Sequence, residues 1–270
     1  MKKHSVVSES YIALQKEILS FQDSWKNELE KEAVVLNNEA FLETKAPAVL
    51  SASIKFDPET YIKWIIDLAS RLEQENAEVE GLSEKASQLL DKDIAERWFS
   101  EALSFNNYYF AGFAEEHSLP EWVPHYLAEQ AVRPYLRLLA DEAAPYLDKA
   151  ENESGCPVCG EPVRLSHLEG EGKKVADCPR CHASWQEKRL SCTHCGNDDH
   201  DTLQYLQIEG DSVNKIQVCK ECNGYMKIID SRQLLKKPAP SLLDIQTIHL
   251  DFVAQDKGYG TGPSGEETVS

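Results

Sequence analysis

Apolar residues recur at steps of three and four along the first half of the chain. Tyr11, Leu14, Ile18, Phe21, Trp25 and Leu29 fall on one face of an amphipathic helix. A second helix has a marked start: Asp57 is a good N-cap, Pro58 suits the first helical position, and Phe56 with Tyr61 forms a hydrophobic staple. Its face continues through Trp64, Ile65, Leu68 and Leu72, and Gly81 ends the connection that follows. A third run reads Ile94, Trp98, Ala102, Phe105, Tyr109 and Phe113. A fourth opens with the capping pattern Ser118-Leu119-Pro120-Glu121 and passes Trp122 and Tyr126, and Pro134 should kink or break it. This predicts an all-α domain over residues 1–150. The aromatic stripe from Trp98 to Phe113 reads as core, with a partner groove as the alternative.

Beyond a polar linker at 148–155 the pattern shortens. Val163, Leu165 and Leu168 precede the turn Glu169-Gly170-Glu171-Gly172, and Leu203, Tyr205 and Ile208 precede Gly210-Asp211. Each reads as a hairpin, and Tyr225 to Ile229 forms a last strand. Lys236-Lys237-Pro238-Ala239-Pro240 is a second linker. Ser241-Leu242-Leu243-Asp244 resembles a capping box, opening a helix with Leu242, Ile245, Ile248 and Phe252 on one face and Gly258 as its stop. The tail from 259 to 270, rich in Gly, Ser, Thr and Glu, is expected to be disordered.

All eight cysteines lie in this second half, as four Cys-x-x-Cys pairs: Cys156/Cys159, Cys178/Cys181, Cys192/Cys195 and Cys219/Cys222. Two residues between cysteines let a tight turn aim two thiolates at one ion, and two such turns complete a four-sulfur shell. A hairpin separates the first knuckle from the second by 18 residues and the third from the fourth by 23, whereas only 10 separate Cys181 from Cys192. The first knuckle therefore pairs with the second and the third with the fourth, with interleaving as the alternative. The domain reading is 1–150 helical, 151–190 and 191–235 as two four-Cys metal modules, 236–258 as linker and C-terminal helix, and 259–270 as tail. A redox dithiol normally stands as one pair beside a βαβ unit, which four pairs do not resemble. Four thiolates suit zinc or, in the rubredoxin manner, one iron. Modules of this size bury too little apolar surface to fold unaided, so the metal is read as structural. With the shells filled, His167, His194 and His200 are neighbours rather than ligands; His182, beside Cys181, is the exception to watch.

Composition narrows the function. The chain of 270 residues has 28 Lys+Arg against 46 Asp+Glu, a formal charge of −18. That argues against direct binding of nucleic acid, which takes a basic surface. No apolar stretch of about 18 residues is present and Met1-Lys2-Lys3-His4 runs into polar residues, so neither a membrane span nor a secretion signal is read, and a cytoplasmic protein is expected. Between Ser212 and Pro240 the charge turns locally basic, with Lys215, Lys220, Lys227, Arg232, Lys236 and Lys237 against Glu221 and Asp230. This reads as a solvated face, or a seat for an acidic partner. No Gly-x-Ser-x-Gly, phosphate-binding glycine loop or His-Glu-x-x-His occurs, so the chain reads as a binding protein and not an enzyme. A zinc-ribbon protein of the transcription or nucleic-acid machinery and a rubredoxin-like electron carrier are the alternatives.

Cys156-Pro-Val-Cys159-Gly160, Cys178-Pro-Arg-Cys181 with Ser184-Trp185 and Arg189, Cys192-Thr-His-Cys195-Gly196 and Cys219-Lys-Glu-Cys222-Asn-Gly-Tyr225-Met-Lys227 together resemble the formate dehydrogenase accessory protein family, FdhE. The helical half and closing helix fit the resemblance generically. Position 182 carries His where that family leads one to expect glycine or another small residue. The resemblance implies an α+β fold: an all-α N-terminal domain, two rubredoxin-like or zinc-ribbon β modules and a C-terminal helix. It implies a chaperone-like maturation factor that binds the catalytic subunit of formate dehydrogenase. It makes the eight cysteines ligands of two ions, iron or zinc. Trp185, Arg189, Tyr225 and Lys227 fall on family positions without a defined role.

Overall fold

A computed structural model describes residues 6–150 and 155–260. Residues 151–154 of the expected linker (148–155) and 261–270 of the expected tail (259–270) lie outside the described residues. The first two tail residues are not disordered, since the Tyr259 and Gly260 N–H groups donate to the Ala254 and Asn223 carbonyls. In chain order come α1 (Glu9–Glu28), β1 (Val34–Leu36), α2 (Asn38–Thr44), β2 (Ala52–Ile54), α3 (Pro58–Glu75), α4 (Leu82–Leu89), α5 (Lys92–Leu103), α6 (Asn107–Glu116) and α7 (Trp122–Ala143). The described residues form two compact units. One comprises 17–35 and 53–138; the other gathers 6–16, 36–52 and the described residues from 139 onward.

The first unit is helical. Asp57 caps α3, its carboxylate accepting from the N–H groups of Glu59 and Thr60, and Phe56 meets Tyr61 edge-to-face at 5.3 Å. Tyr61, Trp64, Ile65 and Leu68 are fully buried, with Trp25 of α1 stacked on Trp64 at 5.3 Å. The Trp98 stripe is core: its indole packs edge-to-face on Phe110 and Phe113.

Two helical expectations change. The third run is two helices, because Phe105 takes a left-handed turn with φ 57° and Asn106 caps α6 by accepting from the Tyr109 N–H. Ser118 does not cap the next helix. It also turns left-handed, with φ 52°, and α7 starts at Trp122. Helix α7 then runs through Pro134 without ending. Pro134 has no N–H for the Gln130 carbonyl; the buried Gln22 side chain supplies the donor instead, at 3.3 Å, and also donates to Gln130 Oε1 at 2.7 Å.

The second unit is built on β3 (Leu165–Glu169), β4 (Lys173–Asp177), β5 (Ser184–Glu187), β6 (Leu203–Gln207), β7 (Asn214–Cys219) and β8 (Tyr225–Asp230). Both expected hairpins form, as β3–β4 and β6–β7. Strand β5 was not anticipated. It lies in the ten residues between the second and third knuckles, and it pairs with β4. The two metal modules share one sheet, in the order β5-β4-β3-β8-β7-β6, because β3 and β8 pair in parallel.

The C-terminal segment is two short helices, α8 (Pro240–Gln246) and α9 (Ile248–Asp256), with the break at Thr247. The buried face also differs from expectation. Leu243, Leu250 and Ala254 pack on Leu165, Ile216, Val218 and Ile229 of the sheet, while Phe252 stays exposed. Ala239 stands at the cap position and Pro240 at the first turn, so Ser241 is not the cap.

Candidate metal centres

All four knuckles use one backbone design. The N–H of each leading cysteine donates to the carbonyl five residues on: Cys156 to Glu161, Cys178 to Ala183, Cys192 to Asn197 and Cys219 to Gly224, at 2.8–2.9 Å. The residue after each second cysteine is left-handed: Gly160 at φ 78°, His182 at 62°, Gly196 at 72° and Asn223 at 55°. That conformation favours Gly and tolerates Asn. The sequence pattern at 160, 196 and 223 follows from it, and His182 is the strained member. Its ring bonds the Ser241 hydroxyl at 3.1 Å, a contact that no short-range pattern could reveal.

The turns bring the thiols together as two clusters, Cys156 with Cys159, Cys178 and Cys181, and Cys192 with Cys195, Cys219 and Cys222, all sulfurs of a cluster within 4.8 Å of one another. Facing sulfurs stand 3.5 and 3.6 Å apart in the first and 3.7 Å in the second. A disulfide needs about 2.05 Å, and every cysteine is free. A tetrahedral shell with metal–sulfur bonds of about 2.3 Å has sulfurs about 3.8 Å apart, so each cluster could hold one metal ion. The chemistry fits too. Val158 and Gly224 direct N–H groups at Cys156 and Cys222 Sγ, both at 3.4 Å, and Asn197 Nδ2 lies 3.5 Å from Cys219 Sγ. Such donors favour thiolate. By themselves the thiols divide. Burial pushes Cys178, Cys181, Cys192 and Cys222 up. Against burial, hydrogen bonds from the other three thiols and the nearby Arg180 guanidinium hold Cys159 well below the usual thiol range, and hydrogen bonds bring Cys219 down to about 7.

The centres differ in exposure. The first is sealed, its four cysteines at most 1% exposed, and the 48–49 segment closes it, the N–H groups of Ala48 and Val49 donating to the Pro157 and Val158 carbonyls. Cys195 of the second is exposed.

Neither cluster includes a histidine. His194 Nε2 donates to the Tyr225 carbonyl at 2.8 Å, and burial lowers its basicity. His167 sits 2.5 Å from Asp177, whose other oxygen accepts from Ser184, and Lys237 closes the group at 3.3 Å from His167 Nε2. His200 is exposed.

The locally basic stretch is not a uniform solvated face. Lys227 is fully buried and bonds Asp244 Oδ1 at 2.6 Å and Asp251 Oδ2 at 2.7 Å. Tyr225 donates to the other Asp251 oxygen at 2.8 Å. Together these two residues tie β8 to α8 and α9. Trp185 stands on β5 in register with Ala176.

Residues 190–264 match the family model described as FdhE, C-terminal domain. The chain is also 37% identical over 108 residues to a protein FdhE homolog of Aquifex aeolicus, 38% of each chain, and 33% identical over 122 residues to one of Stutzerimonas stutzeri, 42% of this chain and 38% of that protein. Over these matched residues the chain is similar to FdhE proteins. The matched sequence spans well under half of those curated relatives. The fold extends further: the crystal structure of the FdhE protein from Pseudomonas aeruginosa superposes with a TM-score of 0.58 over 90% of this chain and 83% of that one, at 18% identity. The family-model match contains the whole of the second cysteine cluster. No helix among the described residues is long and apolar enough to cross a membrane.

Proposed function

We propose that this chain is a non-enzymatic accessory factor in formate dehydrogenase maturation, working in the cytoplasm by binding the enzyme's catalytic subunit. The observation that carries this reading is a four-thiol cluster lying wholly inside the FdhE match over residues 190–264, with a second such cluster just before it in the chain. Cys156, Cys159, Cys178 and Cys181 would hold one ion and Cys192, Cys195, Cys219 and Cys222 the other. A bound zinc or iron supplies four metal–sulfur bonds at each centre and so staples turns that have little apolar surface of their own.

The remaining residues support recognition rather than catalysis. All eight thiols stand in the clusters, so none is spare as a nucleophile. The buried carboxylate–imidazole pair of Asp177 with His167 is taken up by Ser184 and Lys237. One sheet joins the two modules, so both present a single surface to a client.

The test is deletion of the gene in its native host, with formate dehydrogenase activity measured in extracts and restored from a plasmid. Loss of activity with undiminished catalytic subunit, and capture of that subunit on the tagged chain, is the expected result. Normal activity in the deletion strain would refute the reading.

A further inference from the structure

Helices α8 and α9 cover one face of the six-stranded sheet. On the other face a cleft of about 260 Å³ opens between the strands and residues 189–190, which lead from β5 to the third knuckle. Leu168 and Ile228 form its apolar floor, and Leu190 and Tyr205, both substantially exposed, stand at its mouth. At this size the cleft accepts one or two large side chains, below the roughly 300–1,000 Å³ of drug-sized ligand sites.

Its charge is opposite to that of the molecule. Three cations line it, Lys174, Arg189 and Lys215, on a chain of net charge −18. Lys174 is a buried post: Glu187, Thr193 and Gln217 hold its ammonium at 2.9–3.2 Å, and so fix the connecting segment over the sheet. Arg189 and Lys215 are exposed and have no ion pair among the described residues. The Arg189 guanidinium lies over Gly172, 3.6 Å from where a Cβ would stand. Tyr205 accepts from Gln217 Nε2 at 3.1 Å, which leaves its own O–H to donate. An apolar floor ringed by two unpaired cations and a phenol complements an apolar side chain flanked by carboxylates. A long polyanion would meet the acidic remainder of the chain, whereas a short acidic segment would not.

We infer that this cleft docks an acidic, aromatic-bearing peptide segment of a protein partner. The inference rests on reading the chain as a protein-binding factor. The test is a titration of the full metal-loaded chain with a fluorescein-labelled peptide alternating Asp and Phe, read by anisotropy and by methyl shifts of Leu168, Leu190 and Ile228. Binding should weaken at least tenfold with Arg189→Gln/Lys215→Gln, tenfold when Phe is replaced by Ala in the peptide, and on raising salt. Leu190→Ser is a second variant with intact charge and should also weaken it. Binding unchanged in these variants, no shift of the three methyl groups, or a single-stranded oligonucleotide occupying the cleft where the peptide does not would overturn the inference. Full complementation by Arg189→Gln/Lys215→Gln in a strain that needs the gene also overturns it, while the maturation reading stands. If deletion of the gene leaves formate dehydrogenase untouched, that reading falls and the peptide titration decides the cleft alone.

Discussion

Lys227→Met should release the C-terminal helices from the sheet. The Lys227 ammonium is fully buried and contacts Asp244 and Asp251 at 2.6–2.7 Å. Each contact corresponds to about 6 kcal/mol of Coulomb energy at an effective dielectric constant near 20, most of it offset by desolvation. Removing one partner of a buried pair typically costs about 3–5 kcal/mol. Here the Asp244 side chain is 36% exposed and Asp251 14%, so both carboxylates keep some hydration. We therefore expect the lower end, about 3 kcal/mol. At about 1.4 kcal/mol per decade, that is roughly 10²-fold faster opening. Amide hydrogen exchange of α8 and α9 under native conditions measures it directly, with β6 as internal control. Adding Asp244→Leu and Asp251→Leu to Lys227→Met should recover much of the loss, since the unpaired charges are then gone. Exchange within threefold of the parent in Lys227→Met would mean that the apolar contacts of Leu243, Leu250 and Ala254 hold these helices without the ion cluster.

Three further outcomes are expected. Gln22→Leu leaves the Gln130 carbonyl without its donor and should cost about 1–3 kcal/mol in urea unfolding; in a Pro134→Ala background, where residue 134 regains an N–H, the same change should cost at least 1 kcal/mol less, and strict additivity would sink the account. His182→Ala keeps the left-handed strain and loses the Ser241 bond, so it should destabilise by about 1–2 kcal/mol, whereas His182→Gly should stay within about 1 kcal/mol of the parent by thermal melting. Chelator challenge followed by a colorimetric metal assay should empty the second centre first, because Cys195 is exposed and the first centre is sealed; Cys192→Ser/Cys195→Ser should halve the bound metal and lower cellular formate dehydrogenase activity, and a single release phase would contradict the asymmetry.

Local chemistry made much of this molecule readable. The α3 start at Asp57-Pro58, both hairpins and the four knuckles follow from capping, turn and spacing rules that act within a few residues. The failures are instructive for the same reason. The run from Ile94 to Phe113 keeps helical spacing across a break, since periodicity does not register the left-handed turn at Phe105 that Asn106 then caps. Pro134 reads as a helix breaker until a side chain 112 positions earlier supplies the missing donor. Strand β5 has only four residues, too few for alternation to distinguish it from a linker.

By itself, then, the sequence determined which residues could act as metal-binding knuckles, where α3 and both hairpins begin, and that the chain carries a strong negative charge. Tertiary structure alone decided that the two modules share one sheet, because the parallel β3–β8 ladder joins residues about sixty positions apart and leaves no periodic trace. It also buried Lys227 among carboxylates while leaving Arg189 and Lys215 open beside an apolar floor. A cation's role depends on which acids the fold brings within about 3 Å of it, and proximity of that kind is a property of the folded chain, not of its order.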